Sequence, residues 1–588
     1  MTAAQALDNY IYMMTERAHS IVIAIEPQAF GVQDPSEDDA YTIKASGGTG
    51  SITATNERAA LIAAYHLLRE CGCGFTRPGA SGEIVPKKNV SEINADVSVK
   101  NAHRFRGICI EGSVSLEVAL DLLDWMPKMG LNSYFMQFRE GYAFFSRYYK
   151  EKSEFNLEIS RDITRKILAK VKSLGLMYHG VGHGFTCDCY GIDATGWDQT
   201  PGVWPEKFQY AMALRGGERK MHWDIPLITA LCYSNETVQE TVTENAAQYI
   251  AAHDEYDYLH FWLDDGFNNK CECENCKDVR ISDWYVKLLN RLDKKLTGLQ
   301  CKTKIVFLSY CETHWPPLIE TFGNSERFVF MFAPSNRSFN EPLGEAANGM
   351  PLPEYKLNDQ PYAKNNEEMA SFLAAWNDYR KKAGMDFNAG FDFDYYFNKY
   401  NDPGQFAAAR IVYSDVLQLR GNGLNGVVNC QSQRIFANMG LPMYVYSAAL
   451  LQPERSFESI ADEYFCGAYT AGGGNIFKRL YLDLTEKSIC LRDKSIKPEG
   501  FAGLDLLLDV PPPEIKVDCL GAAESLRILK FILRLYKKIS EAVKAVRNAD
   551  KEKYADALEK VKQYASANEP FFETVFDYFS FGLDEKLE

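Results

Sequence analysis

Two adjacent aspartates, Asp264 and Asp265, end the apolar run YLHFWL that begins at Tyr258. Neighbouring residues have Cα atoms about 3.8 Å apart, and two carboxyl groups at such close range resist ionising together. One of them can then remain protonated and donate a proton while the other remains charged. We therefore expect Asp264 and Asp265 to carry acid–base chemistry. The alternative is a polar Asp-Asp-Gly turn after a strand.

Three cysteines follow the aspartates in the pattern C-x-C-x-x-C: Cys271, Cys273 and Cys276. The stretch TCDCY places Cys187 and Cys189 after the preceding strand, so neighbouring loops could bring four thiolates together. Four thiolates in a tetrahedral arrangement bind structural zinc, and a loop of reduced, redox-sensitive cysteines is the alternative. A fully coordinated zinc ion would fix this loop and, without an open coordination position, would take no part in the chemistry. No cofactor is predicted to be needed for catalysis.

The composition argues against several kinds of partner. Apolar residues make up 46% and aromatic residues 13% of the 588 residues, which is typical of packed globular domains. The net charge of −15 disfavours nucleic acid and anionic membranes, because both are bound through clustered lysine and arginine. No run approaches the roughly 20 apolar residues of a membrane span. The opening MTAAQALDNYIYMMTERAHS lacks the features of a signal peptide, so a cytoplasmic location is predicted.

The elements that position the aspartates repeat from about residue 102 as a short apolar strand, a polar tip and a helix. Eight stretches have the strand pattern: RFRGICIEG, LNSYFMQFRE, MYHGVGHGF, YDYLHFWLDDG, KIVFLSYCE, RFVFMFAPSNR, FNAGFDFDYYF and GVVNCQSQ. Helical patterns such as SLEVALDLLDWMPKMG separate most of them. Because parallel strands need helical crossovers, the sequence predicts an α/β fold with a central (β/α)8 TIM-type barrel at residues 101–445.

Two further regions flank the predicted barrel. Residues 1–100 combine a helical opening, the strand SIVIAI, two strands around a Gly-rich turn and the helix ERAALIAAYHLLREC, which predicts a small α+β domain. Residues 446–588 are predicted to form a helical C-terminal region. A doubly wound open sheet is the alternative to the barrel. It is disfavoured because no Gly-rich phosphate-binding loop follows the first strand.

In such a barrel the residues at the carboxyl ends of the strands meet on one face, where the active site lies. The strand ends predicted to line this face are Glu111, Gln137, Arg139, His179, His183, Asp264, Asp265, Tyr310, Glu312, Asn336, Arg337, Asp392, Asp394, Tyr395, Asn429 and Gln431. Carboxylates, amides and aromatic rings together suit a sugar, whose hydroxyls pair with polar groups and whose apolar face stacks on rings. An oligosaccharide or glycan is therefore the predicted substrate.

The adjacency of the aspartates decides between glycosidase mechanisms. A retaining enzyme with a protein nucleophile needs its carboxyl groups about 5–5.5 Å apart and an inverting enzyme about 6.5–9.5 Å, and neighbours on one strand fit neither. They suit the substrate-assisted reaction, in which the 2-acetamido oxygen of the sugar is the nucleophile. We expect Asp264 to orient the acetamide and Asp265 to act as general acid and base. The predicted substrate-binding residues are Glu111, Arg139, His183, Tyr310, Asp392, Asp394 and Tyr395.

Several stretches carry a family resemblance. FRGICIEG, GHGFTCDCYGIDATGWD, WLDDGFNNKCECENCKDVRISDWYVKLLNRLDKKL and IVFLSYCETHWPP resemble successive motifs of the family 163 glycoside hydrolases and their uncharacterised relatives. ERAALIAAYHLLRECGCGFTRPGASGEIVPKK resembles the small domain that precedes the barrel in family 20 hexosaminidases and family 67 glucuronidases. The family 163 resemblance implies a retaining endo-β-N-acetylglucosaminidase that acts on N-glycans. Families 20 and 84 imply the adjacent-carboxylate mechanism, although family 20 carries Asp-Glu at the position of this Asp-Asp pair.

The sequence thus predicts a glycoside hydrolase that cleaves β-linked N-acetylhexosaminides, and three alternatives remain open. An α-glucuronidase or another exo-glycosidase is kept open by Arg139 and Arg337, because basic residues would face a sugar carboxylate. A metal-dependent barrel hydrolase would use His179 and His183, which lie four apart and share a strand face. A non-catalytic carbohydrate-binding barrel would have the same lining without turnover. The oligomeric state is not predicted.

Overall fold

The computed structural model of the protein describes residues 1–150, 152–197, 203–346, 349–360, 363–399, 402–488, 508, 519–547 and 551–581. Its strands are β1 (Ser20–Ile25), β2 (Ala40–Ser46), β3 (Thr49–Ala54), β4 (Gly74–Phe75), β5 (Glu83–Ile84), β6 (Ala95–Lys100), β7 (Phe105–Glu111), β8 (Ser133–Gln137), β9 (Met177–Gly182), β10 (Leu214–Arg215), β11 (Glu218–Arg219), β12 (Tyr258–Phe261), β13 (Lys304–Ser309), β14 (Phe328–Phe332), β15 (Gly390–Asp392) and β16 (Gly426–Ser432).

The described α-helices surround these strands and continue beyond them. They are α1 (Ala3–Thr15), α2 (Glu57–Glu70), α3 (Leu116–Trp125), α4 (Tyr142–Tyr149), α5 (Leu157–Ser173), α6 (Phe185–Asp188), α7 (Glu236–Ala252), α8 (Ile281–Gly298), α9 (Asn366–Lys382), α10 (Tyr396–Lys399), α11 (Phe406–Gln418), α12 (Phe436–Leu451), α13 (Phe457–Lys487), α14 (Leu520–Arg547), α15 (Lys551–Asn568) and α16 (Tyr578–Phe581). Among the described residues, no helix combines the length and the apolar character that crossing a membrane requires.

The first part of the chain is a four-stranded sheet in the order β1-β3-β2-β6. β1 runs parallel to β3, whereas β2 is antiparallel to both β3 and β6. The hairpin between β2 and β3 turns at Gly47 and Gly48, whose φ angles are 59° and 73°. Positive φ at both positions is what a tight hairpin turn of the type I′ hand requires. α2 packs on β2 and β3, and α1 packs on α2, so the predicted α+β character of this part is confirmed.

Eight parallel strands close into a barrel in the order β7-β8-β9-β12-β13-β14-β15-β16. β16 pairs with β7 over its whole length, from Gly426 opposite Phe105 to Ser432 opposite Glu111, and this pairing closes the ring. Every residue of β8, β9, β12 and β14 is buried. Strands covered on both faces have continuous apolar sequences, which is the pattern that the eight predicted stretches share. The predicted (β/α)8 barrel is confirmed.

Helices connect most successive strands, as the sequence predicts. Ser115 caps the first of them, α3, by accepting a hydrogen bond from the Val118 backbone N–H. This helix lies within the predicted stretch SLEVALDLLDWMPKMG, and α5, α7, α8 and α9 are further helices between barrel strands. The connection from β13 to β14 differs, because it contains the 3₁₀ turns Cys311–His314 and Ser325–Arg327 in place of an α-helix. The first of these turns contacts the neighbouring loop after β12, where the Asn268 backbone N–H donates to Glu312.

The C-terminal helices return the chain to the barrel. Asp577, between α15 and α16, accepts hydrogen bonds from the Ser113 backbone N–H at 3.0 Å and from the Ser432 hydroxyl at 2.8 Å. Arg434 is buried and pairs with both Asp577, at 3.1 Å, and Glu569, at 2.8 Å. These contacts place the last described segment beside the carboxyl ends of β7 and β16, on the face where a barrel enzyme has its active site.

Candidate active site

A cavity of about 150 Å³ lies at the carboxyl ends of the barrel strands. Its lining contains carboxylates, aromatic rings and apolar side chains: Glu111, Gln137, His183, Trp197, Trp262, Asp265, Leu308, Tyr310, Met331, Phe393, Tyr395 and Cys430. A smaller pocket of about 30 Å³ shares His183, Trp262, Asp265 and Tyr310 with this cavity, and Asp264, Lys270 and Glu312 also line it. The two aspartates thus stand where the larger cavity and the small side pocket meet.

Asp265 is the aspartate that lines the larger cavity. Its Oδ2 accepts a hydrogen bond from the indole Nε1 of Trp197 at 3.0 Å, and its backbone N–H donates to the carbonyl of Leu227 at 3.1 Å. Tyr310 lies nearby, and the charge of Asp265, together with burial, raises the pKa of the Tyr310 hydroxyl well above its ordinary value. Tyr310 therefore keeps its proton and can donate a hydrogen bond to a bound sugar.

Asp264 is buried behind Asp265 and is held by a lysine. Its side chain is fully covered, and its Oδ2 accepts a hydrogen bond from Lys270 Nζ at 2.6 Å. The other carboxylate oxygen, Oδ1, is buried without a hydrogen-bond partner among the described residues. Buried polar atoms in proteins normally have a hydrogen-bond partner, and in the described part of the chain this oxygen lacks one. Asp264 can therefore accept a hydrogen bond from a ligand N–H or O–H in the small pocket.

Lys270 balances two buried carboxylates. Its Nζ lies 3.9 Å from Glu312 Oε2 in addition to its contact with Asp264. Burial of the ammonium disfavours its charge, but the carboxylates of Asp264 and Glu312 outweigh this and raise the pKa of Lys270 above its ordinary value. Burial also raises the pKa of Glu312, against the opposing charge of Lys270. The lysine thus remains charged beneath the aspartates.

The loop from Asp264 to Lys270 is fixed by its backbone contacts. Gly266 has no room for a side chain, since a Cβ there would lie 2.3 Å from the Ile228 carbonyl oxygen. The Asn268 backbone N–H donates to Glu312 Oε1 at 2.6 Å. Asn358 clamps the end of the loop, accepting from the Lys270 N–H at 2.7 Å and donating to the Lys270 carbonyl at 2.8 Å. A rigid loop of this kind can hold catalytic groups in one geometry.

Glu111 and His183 are two predicted residues that line the cavity. Glu111 Oε1 accepts from the Gly112 N–H at 3.0 Å and from Arg147 Nη1 at 3.3 Å, yet burial raises the pKa of Glu111 above its ordinary value. Burial also lowers the pKa of His183, although the charges of Asp265 and Asp264 oppose this shift. The His183 ring meets the Trp262 ring edge to face at 4.6 Å. Its Nδ1 has no hydrogen-bond partner among the described residues.

Strand alternation separates the residues predicted at the end of β15. Phe393 and Tyr395 line the cavity, and because side chains alternate along a strand, Asp392 and Asp394 face the other way. Asp394 Oδ2 accepts from Arg337 Nη1 at 2.8 Å in a fully buried ion pair. Burial raises the pKa of both aspartates. Asp392 and Asp394 therefore lie outside the cavity lining, behind the tyrosine predicted with them.

Arg139 also lies outside the cavity. Phe138 follows β8 with a φ of 60°, which changes the direction of the chain at the strand end. Arg139 Nη2 consequently pairs with Asp188 Oδ2 at 2.9 Å, and its guanidinium lies 4.2 Å from the centre of the Tyr249 ring. These partners belong to α6 and α7, in the helical layer around the barrel.

His179 is a core residue beneath the cavity. Its Nδ1 lies 3.1 Å from His260 Nε2, and both rings are fully buried. Burial lowers the pKa of His179 to about 3 and that of His260 well below its ordinary value. Both rings are therefore neutral, and they are hydrogen-bonded to each other. His179 is thus separated from His183, and in the described part of the chain they do not form a metal site together.

Four cysteines lie close together beside the loop that carries the aspartates, and the fourth of them is not one of the predicted candidates. The sulfur atoms of Cys232, Cys271, Cys273 and Cys276 all lie within 4.8 Å of one another. Cys187 and Cys189 are not in this group, so the prediction that one of them completes the cluster is wrong. The fourth thiol is that of Cys232, in the loop before α7, and this loop lies against the loop after β12. The sequence alone does not reveal this, because Cys232 sits in an apolar run typical of a buried thiol.

The site contains three functional candidates that the prediction did not assign to it. Trp197 holds Asp265, Lys270 holds Asp264 and Trp262 borders both pockets. Lys270 could have been found from the sequence, because it lies six residues after Asp264 and five after Asp265, close enough in the same loop to balance their charge. Trp197 had none, because it lies in a long loop after β9 whose path the sequence does not specify.

Comparisons with known proteins show that the fold is similar to those of solved glycoside hydrolases. A family 115 4-O-methyl-α-glucuronidase with specificity for decorated arabinogalactans is 10% identical, with a TM-score of 0.60, covering 100% of this chain and 77% of that chain. A family 89 glycoside hydrolase of Clostridium perfringens, bound to its substrate GlcNAc-α-1,4-galactose, is 12% identical with a TM-score of 0.51. That match covers 96% of this chain and 65% of that one, so the present chain spans less than two thirds of the length of the clostridial enzyme.

At these identities the similarity concerns the fold, and it does not single out family 163. No curated protein matches the sequence. One family model does, a domain of unknown function named DUF4838, which matches residues 79–483. This segment includes all eight barrel strands, both aspartates and the four clustered cysteines. Because the model matches more than half of the chain, the protein belongs to the DUF4838 family.

Proposed function

We propose that the protein is a retaining glycoside hydrolase that cleaves β-linked N-acetylhexosaminides of the N-acetylglucosamine type by substrate-assisted catalysis. One observation carries the proposal: the adjacent aspartates occupy different environments at the junction of two pockets. Asp264 is buried with a lysine at one oxygen and no partner at the other, whereas Asp265 lines the larger cavity. The larger cavity is proposed to take the sugar ring, with the acetamide directed at the small pocket that Asp264 lines.

The proposed reaction divides two roles between the aspartates. The free Oδ1 of Asp264 accepts a hydrogen bond from the acetamide N–H, which directs the acetamide oxygen at the anomeric carbon. Asp265 donates a proton to the glycosidic oxygen as the bond to the leaving group breaks. The oxygen of the acetamide forms the new bond to the anomeric carbon and yields an oxazolinium ion, whose N–H stays hydrogen-bonded to the Asp264 carboxylate. Asp265 then removes a proton from the water that opens the oxazolinium ion, which restores the acid and retains the configuration.

The chemistry of this route selects the anomer. The 2-acetamido oxygen attacks from the face opposite the leaving group, so in gluco- and galacto-configured sugars only a β-linked group can leave. Tyr310 and Tyr395 line the sugar cavity and both keep their protons, since Asp265 and burial raise the pKa of Tyr310 and burial raises that of Tyr395. They are proposed to donate to the acetamide and the reacting sugar, with Glu111 and His183 at the hydroxyls.

One of the two structural comparisons, that with the clostridial family 89 enzyme, supports an N-acetyl sugar as the substrate class, whereas the family 115 enzyme is a glucuronidase. The clostridial family 89 enzyme has been solved with GlcNAc-α-1,4-galactose and with 2-acetamido-1,2-dideoxynojirimycin, both of which carry an acetamido group. GlcNAc-α-1,4-galactose is α-linked. The β-linkage proposed here therefore rests on the aspartate pair of this chain alone.

Hydrolysis of a panel of 4-nitrophenyl glycosides tests the proposal. We expect release of nitrophenol from β-N-acetylglucosaminide or β-N-acetylgalactosaminide, no release from the α-anomers or plain glucosides, and inhibition by N-acetylglucosamine thiazoline. Asp265→Asn should lower kcat/KM by about 10²- to 10⁴-fold on a substrate with a sugar leaving group, as for loss of a general acid. The loss should be smaller on the nitrophenyl glycoside, because nitrophenolate leaves with little need of a proton. Asp278→Asn, an exposed change in the same loop, is the control. Glycan binding without turnover on the panel or on a longer N-glycan would instead identify a carbohydrate-binding barrel.

A second candidate follows from the lining of the larger cavity. Glu111 and Asp265 are the carboxylates among its described lining residues, and burial raises the pKa of Glu111, as a general acid requires. This pair would serve an exo-glycosidase with a protein nucleophile, including one for α-linked or uronic substrates. Cleavage of α-linked glycosides or glucuronides, abolished by Glu111→Gln and insensitive to Asp264→Asn, would favour it. The rate should then fall as the pH rises through the raised pKa of Glu111.

A further inference from the structure

The four-cysteine cluster has the dimensions of a metal site. Four sulfurs bound tetrahedrally at about 2.3 Å from one ion lie about 3.8 Å from each other. The sulfurs of Cys232 and Cys273 are 3.7 Å apart, and all four lie within 4.8 Å. None of the four is in a disulfide. The cluster therefore needs little adjustment to enclose an ion.

The surroundings of the cluster suit thiolates. The Leu214 backbone N–H donates to Cys271 Sγ at 3.3 Å, and Ser234 Oγ lies 3.4 Å from Cys273 Sγ. Arg219 Nη2 lies 3.8 Å from Cys232 Sγ and places a positive charge beside the cluster. A four-thiolate site with one divalent ion carries a net charge of about −2, which backbone donors and a cation stabilise.

Two loops supply the thiols, and the cluster ties them together. Cys232 comes from the loop between β11 and α7, whereas the other three come from the loop after β12. The loop after β12 is also tied to β10, because the Glu272 N–H donates a hydrogen bond to the Leu214 carbonyl at 2.7 Å. Cys232, Cys271 and Cys276 are buried, and Cys273 is partly exposed. A closed set of four ligands offers no open coordination position, as in structural zinc sites.

We propose that Cys232, Cys271, Cys273 and Cys276 bind one Zn²⁺ in a closed, four-thiolate structural site that fixes the loop bearing the paired aspartates. Binding replaces the thiol protons with bonds to the ion and releases them to solvent. Cys271 directly follows Lys270, so the ion would hold the ammonium group against Asp264. This positioning role rests on the proposed function, whereas the metal site itself does not.

Metal analysis of the purified full-length protein tests the site without reference to activity. We expect about one zinc ion per chain after dialysis. Replacement by Co²⁺ should give the intense visible absorption of a tetrahedral cobalt–thiolate site. Wild-type protein that contains no zinc, binds no added zinc or cobalt and has four reactive thiols in these positions would overturn the proposal. Disulfides among these four cysteines in freshly purified protein would overturn it as well.

Variants test the identity of the ligands. Cys232→Ser and Cys273→Ser should each lower zinc content at least tenfold under dialysis against a weak chelator, because three thiolates hold the ion less tightly than four. Cys187→Ser and Cys189→Ser are the matched controls and should retain the ion. Loss of zinc from a control with full retention in Cys232→Ser would overturn the assignment of the fourth ligand. If the ligand variants do not fold, wild-type metal content and the cobalt spectrum still decide the proposal.

Hydrogen exchange separates the metal site from its positioning role. Removal of zinc from the wild-type protein should increase exchange in residues 264–277 and leave the β7–β8 region unchanged. Exchange that stays the same in this loop after complete removal of the ion would overturn the positioning role. Because neither zinc content nor exchange depends on a substrate, these results stand even if the glycoside panel shows no turnover.

Discussion

At the scale of single residues, the site is organised around a buried charge. Lys270 is buried with Asp264 and Glu312, and its ammonium group lies 2.6 Å from the first carboxylate and 3.9 Å from the second. Removing one partner of a buried ion pair is costly because the other charge is left without compensation. This ion pair occupies one oxygen of Asp264 and leaves the other, Oδ1, as a buried acceptor in the small pocket.

Replacing Lys270 should therefore destabilise the protein. We expect Lys270→Met to lower the free energy of unfolding by about 3–5 kcal/mol, since two carboxylates lose their buried counter-charge. The control is Lys277→Met in the same loop, whose exposed pair with Glu274 should change stability by less than about 0.5 kcal/mol. Chemical denaturation of both variants measures the difference. Equal stability of Lys270→Met and wild type would show that the buried pair contributes nothing.

At the scale of elements, the strands were predictable and their side-chain directions were not. All eight barrel strands fall within the predicted stretches, and their parallel arrangement agrees with the helices that connect most of them. Whether a residue at a strand end faces the cavity changes with a shift of one position along the chain, because successive side chains point to opposite faces. Tyr395 lines the cavity while Asp394 faces away, and Phe138, with its φ of 60°, turns Arg139 outward. The meeting of Cys232 with the cysteines after β12 depends on loop paths, which periodicity does not encode.

The seam between β16 and β7 gives a prediction at this scale. Gly426 starts β16 with a φ of 128°, and a Cβ there would lie 1.8 Å from the Phe105 carbonyl oxygen. Gly426→Ala should therefore lower the free energy of unfolding by about 3 kcal/mol through backbone strain and overlap. Gly421→Ala is the control, since a Cβ there meets only the Gln418 carbonyl oxygen at 3.4 Å. A melting temperature of Gly426→Ala equal to that of the control would contradict this account of the seam.

At the scale of the whole molecule, the parts of the chain depend on one another. The predicted boundary between residues 445 and 446 falls inside α12, and the family model extends from residue 79 to 483 across both predicted boundaries. The division at residues 100 and 445 remains a prediction. Asp577 reaches back to Ser113 and Ser432 at the carboxyl ends of β7 and β16, so the C-terminal region supports the rim of the cavity near Glu111.

Breaking this contact should affect both stability and substrate binding. Asp577→Ala leaves Arg434 buried with Glu569 as its remaining carboxylate and removes the acceptor of the Ser113 N–H. We expect a loss of about 3 kcal/mol in unfolding free energy and, for an active enzyme, a raised KM as the neighbouring Glu111 shifts. Asp556→Ala, in an exposed pair on α15, is the control. An unchanged melting temperature in Asp577→Ala would show that the C-terminal segment does not brace the barrel.

The closure of the barrel has a consequence for the biosynthesis of the protein. β7 begins at Phe105, but its partner β16 ends at Ser432, so the first strand emerges from the ribosome with one edge lacking its native neighbour. At usual rates of translation, β16 follows on the order of tens of seconds later. During this interval the open edge of β7 is a template for pairing with other chains. Yield from refolding should accordingly depend on protein concentration, and slow synthesis at low temperature or a chaperone that covers nascent strands should favour the native barrel.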